Sequence, residues 1–128
     1  MGVISTDNRQ IKLYYNSETS LGKQTLPYIE ASEKQILAVD ISKTNVTGTQ
    51  WAEIADKLNL HISELVNQEH PDFVKIYGDK DVDLDENDWL KVIEKHPIVV
   101  NKPIVIYGNR FMQIKTPSDF AKYLDLEN

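Results

Sequence analysis

From Asn16 to Lys23 the chain reads Asn-Ser-Glu-Thr-Ser-Leu-Gly-Lys, placing two hydroxyls, Thr19 and Ser20, just ahead of a lysine where an alternating pattern gives way to a helical one. A helix start offers unpaired N–H groups and the positive end of a dipole. Asn16, Thr19, Ser20 and Lys23 are therefore candidates to hold a carboxylate, a thiolate or an oxyanion. The bland alternative is that Thr19 or Ser20 simply caps the helix, and Glu18, whose carboxylate competes with any bound anion, favours it. A nucleophilic Thr19 would need an adjacent base, and no His or Asp lies beside it in sequence. The 128 residues include no cysteine, so chemistry that runs through a thiolate is excluded.

Other chemistry-bearing residues carry weaker signals. His61, His70 and His96 show no metal-ligand spacing, and His96 before Pro97 reads as a helix-end residue. Asp79-Lys80-Asp81-Val82-Asp83 imitates the first half of a calcium loop, but Leu84 stands where glycine is needed and Leu90 where glutamate is needed. It reads as a solvated acidic loop, and no metal site is expected. Trp51 and Trp89 fall at helical core spacing and are expected to pack.

The elements that must position the Asn16–Lys23 segment can be read on either side of it. Ile11, Leu13 and Tyr15 alternate with Lys12 and Tyr14 as a short strand, and a helix opens near Thr19 with Leu21, Leu26 and Ile29 near one face. Pro27, two turns in, is expected to kink it. Gln35 to Ile41 is apolar enough for a buried strand, and the intervening helix makes it a parallel neighbour of the first. Thr47-Gly48-Thr49-Gln50 forms a capping box ahead of Trp51, Ile54, Ala55 and Leu58, and a shorter helix is expected around Ser63 to Val66. Asp85 to His96 reads as a helix stopped by Pro97. Gly108-Asn109 suits a tight turn between Ile104–Tyr107 and Arg110–Ile114. Thr116-Pro117 opens a last helix packing through Phe120, Tyr123 and Leu124.

Composition limits the setting. One domain spanning residues 1–128 is expected, residues 1–9 forming a flexible extension. Fourteen basic against twenty acidic residues give a net charge of -6, and the basic residues are scattered, which argues against nucleic acid as a partner. No apolar run reaches the length of a membrane span and no signal-peptide pattern is present, so no membrane association and a cytoplasmic location are expected. On that basis the Asn45-Val46-Thr47 sequon is a chance match, and Met1–Thr6 fits only loosely the pattern for myristoylation.

The predicted order is βαβ, helices, then ββα: an α/β, thioredoxin-like three-layer fold with a mixed four-stranded sheet and flanking helices. With it comes a resemblance. Leu13-Tyr14-Tyr15-Asn16-Ser17-Glu18-Thr19-Ser20-Leu21-Gly22-Lys23 is similar to the strand, nucleophile loop and first helix of the arsenate reductase and Spx family of glutaredoxin-like proteins. His96-Pro97, Asn101-Lys102-Pro103-Ile104-Val105 and Thr116-Pro117-Ser118-Asp119 resemble its later block, and the likeness covers nearly the whole chain.

The resemblance implies a cysteine where this chain has Thr19, a cysteine or serine at Gly22 and an arginine at Lys23. It also implies oxyanion-binding arginines near Asn67, at Lys102 and at Arg110 or Lys115, and a cis Pro103. A cis Pro103 would turn Lys102 toward the loop and leave polar groups to pair with an extended peptide; the alternative is that Pro103 only starts an edge strand. What the family likeness implies, with the sulfur gone, is a redox-inactive binding or regulatory module with no catalytic residue and no cofactor. Its partner would be a protein or a small thiol or anion, glutathione among them. The alternative is a glutathione-dependent enzyme in which Thr19, Tyr14 or Tyr15 stabilises the glutathione thiolate.

Overall fold

The computed structural model describes residues 10–31, 35–78, 82, 84–100, 102–108 and 110–120. They fall into two compact units, one within residues 45–101 and the other from residues up to 44 together with those from 102 onward.

The second of these holds the sheet. Its strands are β1 (Gln10–Tyr15), β2 (Gln35–Asp40), β3 (Ile104–Tyr107) and β4 (Arg110–Gln113), in the order β2-β1-β3-β4. β1 runs parallel to β2 and antiparallel to β3, and β3 runs antiparallel to β4. The sheet is therefore mixed, as expected. Helix α1 (Ser20–Glu30) is the crossover between the parallel strands, and it continues across Pro27 to Glu30, so the missing donor does not end it. Its Ile29 joins Ile11, Leu13, Val105, Met112, Ile114 and Phe120 in one buried cluster, with Leu21, Leu26 and Tyr15 packed against it.

Local physics accounts for most of this. Ile11 and Leu13 point to one face by strand alternation, while the central position of β1 also buries Tyr14 on the other. The turn from β3 to β4 has Gly108 at φ 61, a left-handed conformation that glycine adopts without a steric cost. Helical structure begins again at Asp119, whose carboxylate accepts from the Lys115 and Thr116 N–H groups and from the Thr116 hydroxyl. Tyr123 and Leu124 lie outside the described residues.

β2 departs from expectation. Its apolar residues predict burial, yet Gln35, Leu37 and Ala38 are exposed. Composition reports strand propensity, whereas burial depends on the strand's place in the sheet, and β2 is an edge. Pro103 departs in the other direction, since the strand it precedes lies between β1 and β4 and is no edge.

The helical unit contains α2 (Gly48–Lys57), α3 (Pro71–Tyr77), α4 (Glu86–Lys95) and two single 3-10 turns, Ile62–Leu65 and Pro97–Val99. The expected capping box starts α2: Thr47 Oγ1 accepts from Gln50 N at 3.3 Å while Thr47 N donates to Gln50 Oε1 at 3.2 Å. Trp51, Ile54, Leu65, Phe73, Trp89 and Ile93 are buried, and the Phe73 and Trp89 rings stack at 5.8 Å. α3 went unforeseen because its cap is a histidine instead of the usual hydroxyl or carboxamide; Pro71 at its first position was the available signal.

Candidate functional site

The loop after β1 is organised around its own hydrogen bonds. Thr19 is the N-cap of α1: its hydroxyl donates to the Asn16 carbonyl at 2.8 Å and accepts from Gly22 N at 3.0 Å. Asn16 Oδ1 accepts from Glu18 N at 2.9 Å, and the Asn16 carbonyl also accepts from Thr19 N at 3.1 Å. Both roles of the Thr19 hydroxyl are thus engaged inside the loop. Gly22 is closed as well, because a Cβ added there would overlap the Asn16 carbonyl oxygen.

A helix's first N–H groups have no intrahelical acceptor, and of those of α1 the Thr19 side chain takes that of Gly22. Asn16 is 4% exposed, and its buried Nδ2 has no hydrogen-bond partner. An unmet buried amide donor is costly, and this one is closed off from solvent. Ser20 and Lys23 are exposed beside it, and so is Glu18.

A second anchor holds the loop from β2. Asp40 Oδ1 accepts from Ser17 N at 3.2 Å, from Ser42 N at 3.1 Å and from Ser42 Oγ at 2.7 Å. Burial pushes this carboxyl upward, but the bonds from Ser17 and Ser42 together outweigh it and bring the pKa down to about 2. So acidic a carboxyl is a poor base for Ser42 or Ser17. Nearby, burial, then Asp40, then Glu30 raise the Tyr15 phenol above its usual pKa, so it remains a neutral hydroxyl at physiological pH.

The sheet register decides which other candidates share this end. Tyr14 pairs with Ile104, and continuing the antiparallel register sets Tyr15 across from Pro103 and Asn16 across from Lys102. Ile114 N donates to the Pro103 carbonyl at 2.9 Å, which brings Lys115 to the same end. Arg110 lies at the other: it pairs with Tyr107, which pairs with Ile11. About four residues of strand, on the order of 13 Å, separate the two ends. Of the two residues that could replace the last oxyanion-binding arginine, Lys115 lies at the loop's end of the sheet, two strands over from β1, and Arg110 at the opposite end.

The cis Pro103 is overturned. Among the described residues no peptide bond is cis, the Lys102–Pro103 bond included. The trans bond is the intrinsically favoured one, and here Pro103 runs directly into β3 with its carbonyl already taken by Ile114.

The remaining candidates belong to the helical unit. Asn67, in the helical unit, donates its N–H to the Val99 carbonyl at 2.7 Å, and its Oδ1 accepts from Glu69 N. His61 and His70 each accept a backbone N–H through Nδ1, from Ser63 and Asp72, and His96 is the C-cap of α4. The histidines are helix-end residues, a role that sequence reasoning assigned only to His96. Among the described residues no three His, Cys, Asp or Glu side chains gather as a metal site. Most of the calcium-like segment, Asp79, Lys80, Asp81 and Asp83, lies outside the described residues.

The fold has close counterparts among solved structures. An arsenate reductase from Vibrio cholerae superposes with a TM-score of 0.78 at 14% identity, over 91% of this chain and 98% of that one. The chain has the arsenate reductase fold. A Yersinia pestis protein assigned as an arsenate reductase gives 0.77 at 18% identity, over 88% and 98% of the two chains. An arsenate reductase-related protein from Brucella melitensis gives 0.68 at 14% identity, over 94% and 98%. No family model and no curated protein sequence matches the chain. This arsenate reductase fold is built without one cysteine, and none of its described helices is long and apolar enough to cross a membrane.

Proposed function

We propose that this arsenate reductase-fold chain is a cytoplasmic binding or regulatory module without thiol redox chemistry, taking an anionic group of a protein or small molecule at the Asn16–Lys23 loop. The observation that carries the reading is the state of Thr19. At the position where the resemblance implies a nucleophile, the chain has a hydroxyl whose proton is donated to the Asn16 carbonyl and whose lone pair accepts from Gly22 N. Reduction of arsenate or of a disulfide needs a sulfur that is attacked, forms a mixed intermediate and is resolved by another thiol, and a hydroxyl cannot pass through those states. The N–H groups that open α1 and the charge of the exposed Lys23 favour a carboxylate or oxyanion as the group recognised.

The test combines turnover with binding. Pure protein supplied with a reductant is expected to show no sustained reduction of arsenate or of a disulfide, and sustained turnover would overturn the reading. Titration of labelled protein with a carboxylate-bearing peptide is expected to shift the amide signals of residues 16–23, less so in Lys23→Ala; unmoved signals would count against the loop as the site.

In the alternative, a glutathione-dependent enzyme, Tyr15 at the end of β1 beside the loop would be the hydroxyl that donates to the thiolate. Thr19 no longer suits that part, since its proton is engaged. Saturable glutathione binding weakened by Tyr15→Phe would favour this second reading.

A further inference from the structure

Of the four described α-helices, α3 is the shortest and buries one residue, Phe73, where each of the others buries three or four. Seven residues are too few to hold a helix by propensity, so its stability depends on its ends. Gly78 closes it in a left-handed conformation, φ 87, with its N–H donating to the Val74 carbonyl at 2.8 Å. At the other end Pro71 has no N–H to satisfy, and Asp72 N donates to Nδ1 of the half-buried His70 at 3.1 Å. That cap differs in kind from the other three. Thr19, Thr47 and Asp85 offer oxygens that remain acceptors from neutral to mildly acidic pH, whereas an imidazole accepts at Nδ1 only while that nitrogen has no proton. As an imidazolium, His70 would set N–H against N–H and place its charge at the positive end of the helix.

We propose that α3 is a pH-sensitive element of the helical unit, closed by neutral His70 near neutral pH and loosened when the imidazole takes a proton, which frees Phe73 from its stack on Trp89. The folded helix uses the neutral form, so it opposes proton uptake. The contribution of the cap is complete above the range in which histidine changes charge, between about pH 5 and pH 8, and is lost as pH falls through it. The rings carry the change onward. Phe73 meets Tyr77 with ring centroids 4.9 Å apart and stacks on Trp89 at 5.8 Å, so the Trp89 indole senses whether α3 is seated.

Surrounding charges pull weakly by comparison. The exposed Glu69 and Asp72 favour the imidazolium, and Lys75, farther along α3, opposes it. The 3-10 turn Pro97–Val99, packed on α3, has no charged residue and follows His96. α4, which meets α3 through Trp89, has Asp85, Glu86 and Asp88 before that residue and Lys91, Glu94 and Lys95 beyond it. Pairs between exposed charges are weak and screened by salt, whereas the cap bond is made or lost outright.

Amide hydrogen exchange and the Trp89 indole signal of the full labelled chain, followed from about pH 7.5 to pH 5 at moderate salt, test this. Once corrected for intrinsic exchange, the protection of Val74 and Gly78, whose N–H groups hold the two ends of the helix, is expected to fall about fivefold or more at the acid end while that of α2 holds. The Trp89 indole signal moves with it. His70→Asn keeps an accepting oxygen at the cap without titrating, and is expected to abolish both changes; His70→Ala, with no acceptor, lowers the protection at both ends of the range. Protection of α3 that is indifferent to pH overturns the proposal. A pH response retained in His70→Asn does so as well, since Glu69, Asp72 or His96 would then be its source. So does a loss shared equally with α2, which would be unfolding of the whole unit.

Discussion

At the scale of single residues, the site is shaped by what the loop withholds. Thr19 supplies a cap instead of a nucleophile, and Gly22 supplies space: the Asn16 carbonyl lies where a side chain's first carbon would be. Gly22→Ala is expected to cost about 2–4 kcal/mol by forcing that carbonyl away and breaking the cap, read as a lowered denaturation midpoint. Asp40 makes a pH-dependent contribution. Its folded pKa of about 2 lies below the ordinary 3.8, so the stabilisation is present above the unfolded value and is lost as pH falls through the folded one. Asp40→Ala should cost about 1–2 kcal/mol at neutral pH, and the gap from wild type should narrow between about pH 4 and pH 2. A gap unchanged across that window in parallel denaturation curves would count against the Ser17 and Ser42 bonds as the cause. Thr19 was legible as a candidate from its neighbours, but the acceptor of its proton was not.

At the scale of elements, local signals were reliable where the chemistry is local. The Thr47-Gly48-Thr49-Gln50 box forms in both directions and starts α2 where the pattern places it. Thr47→Ala is expected to cost about 1 kcal/mol and Thr47→Ser much less, both measurable by chemical denaturation, because serine keeps the accepting oxygen. The hairpin at Gly108 and the stop of α4 before Pro97 were legible for similar reasons of backbone sterics. α3 gives little signal in the sequence because a histidine side chain caps it, and the apolar residues of β2 predict burial although the strand lies at an edge. The first is a matter of local cap chemistry, the second of a strand's place in the sheet, which overrides its composition.

At the scale of the whole molecule, the expectation of no thiol turnover draws on the covalent composition alone, since the chain has no sulfur that can cycle as a thiolate. The likeness to arsenate reductases lies in the fold, at identities of 14% and 18% in the two with the higher TM-scores cited above, and a fold does not bring its chemistry with it. The sequence by itself determined the elements, their βαβ and ββα order and the exclusion of thiolate chemistry, since capping, periodicity and covalent composition act within a few residues or over none. Only the tertiary structure decided that Lys115 lies at the loop's end of the sheet and Arg110 at the far end, that Pro103 is trans with its carbonyl engaged, and that Asn16 buries an unpartnered donor. These outcomes depend on strand register and burial, which arise when segments distant in sequence are brought side by side.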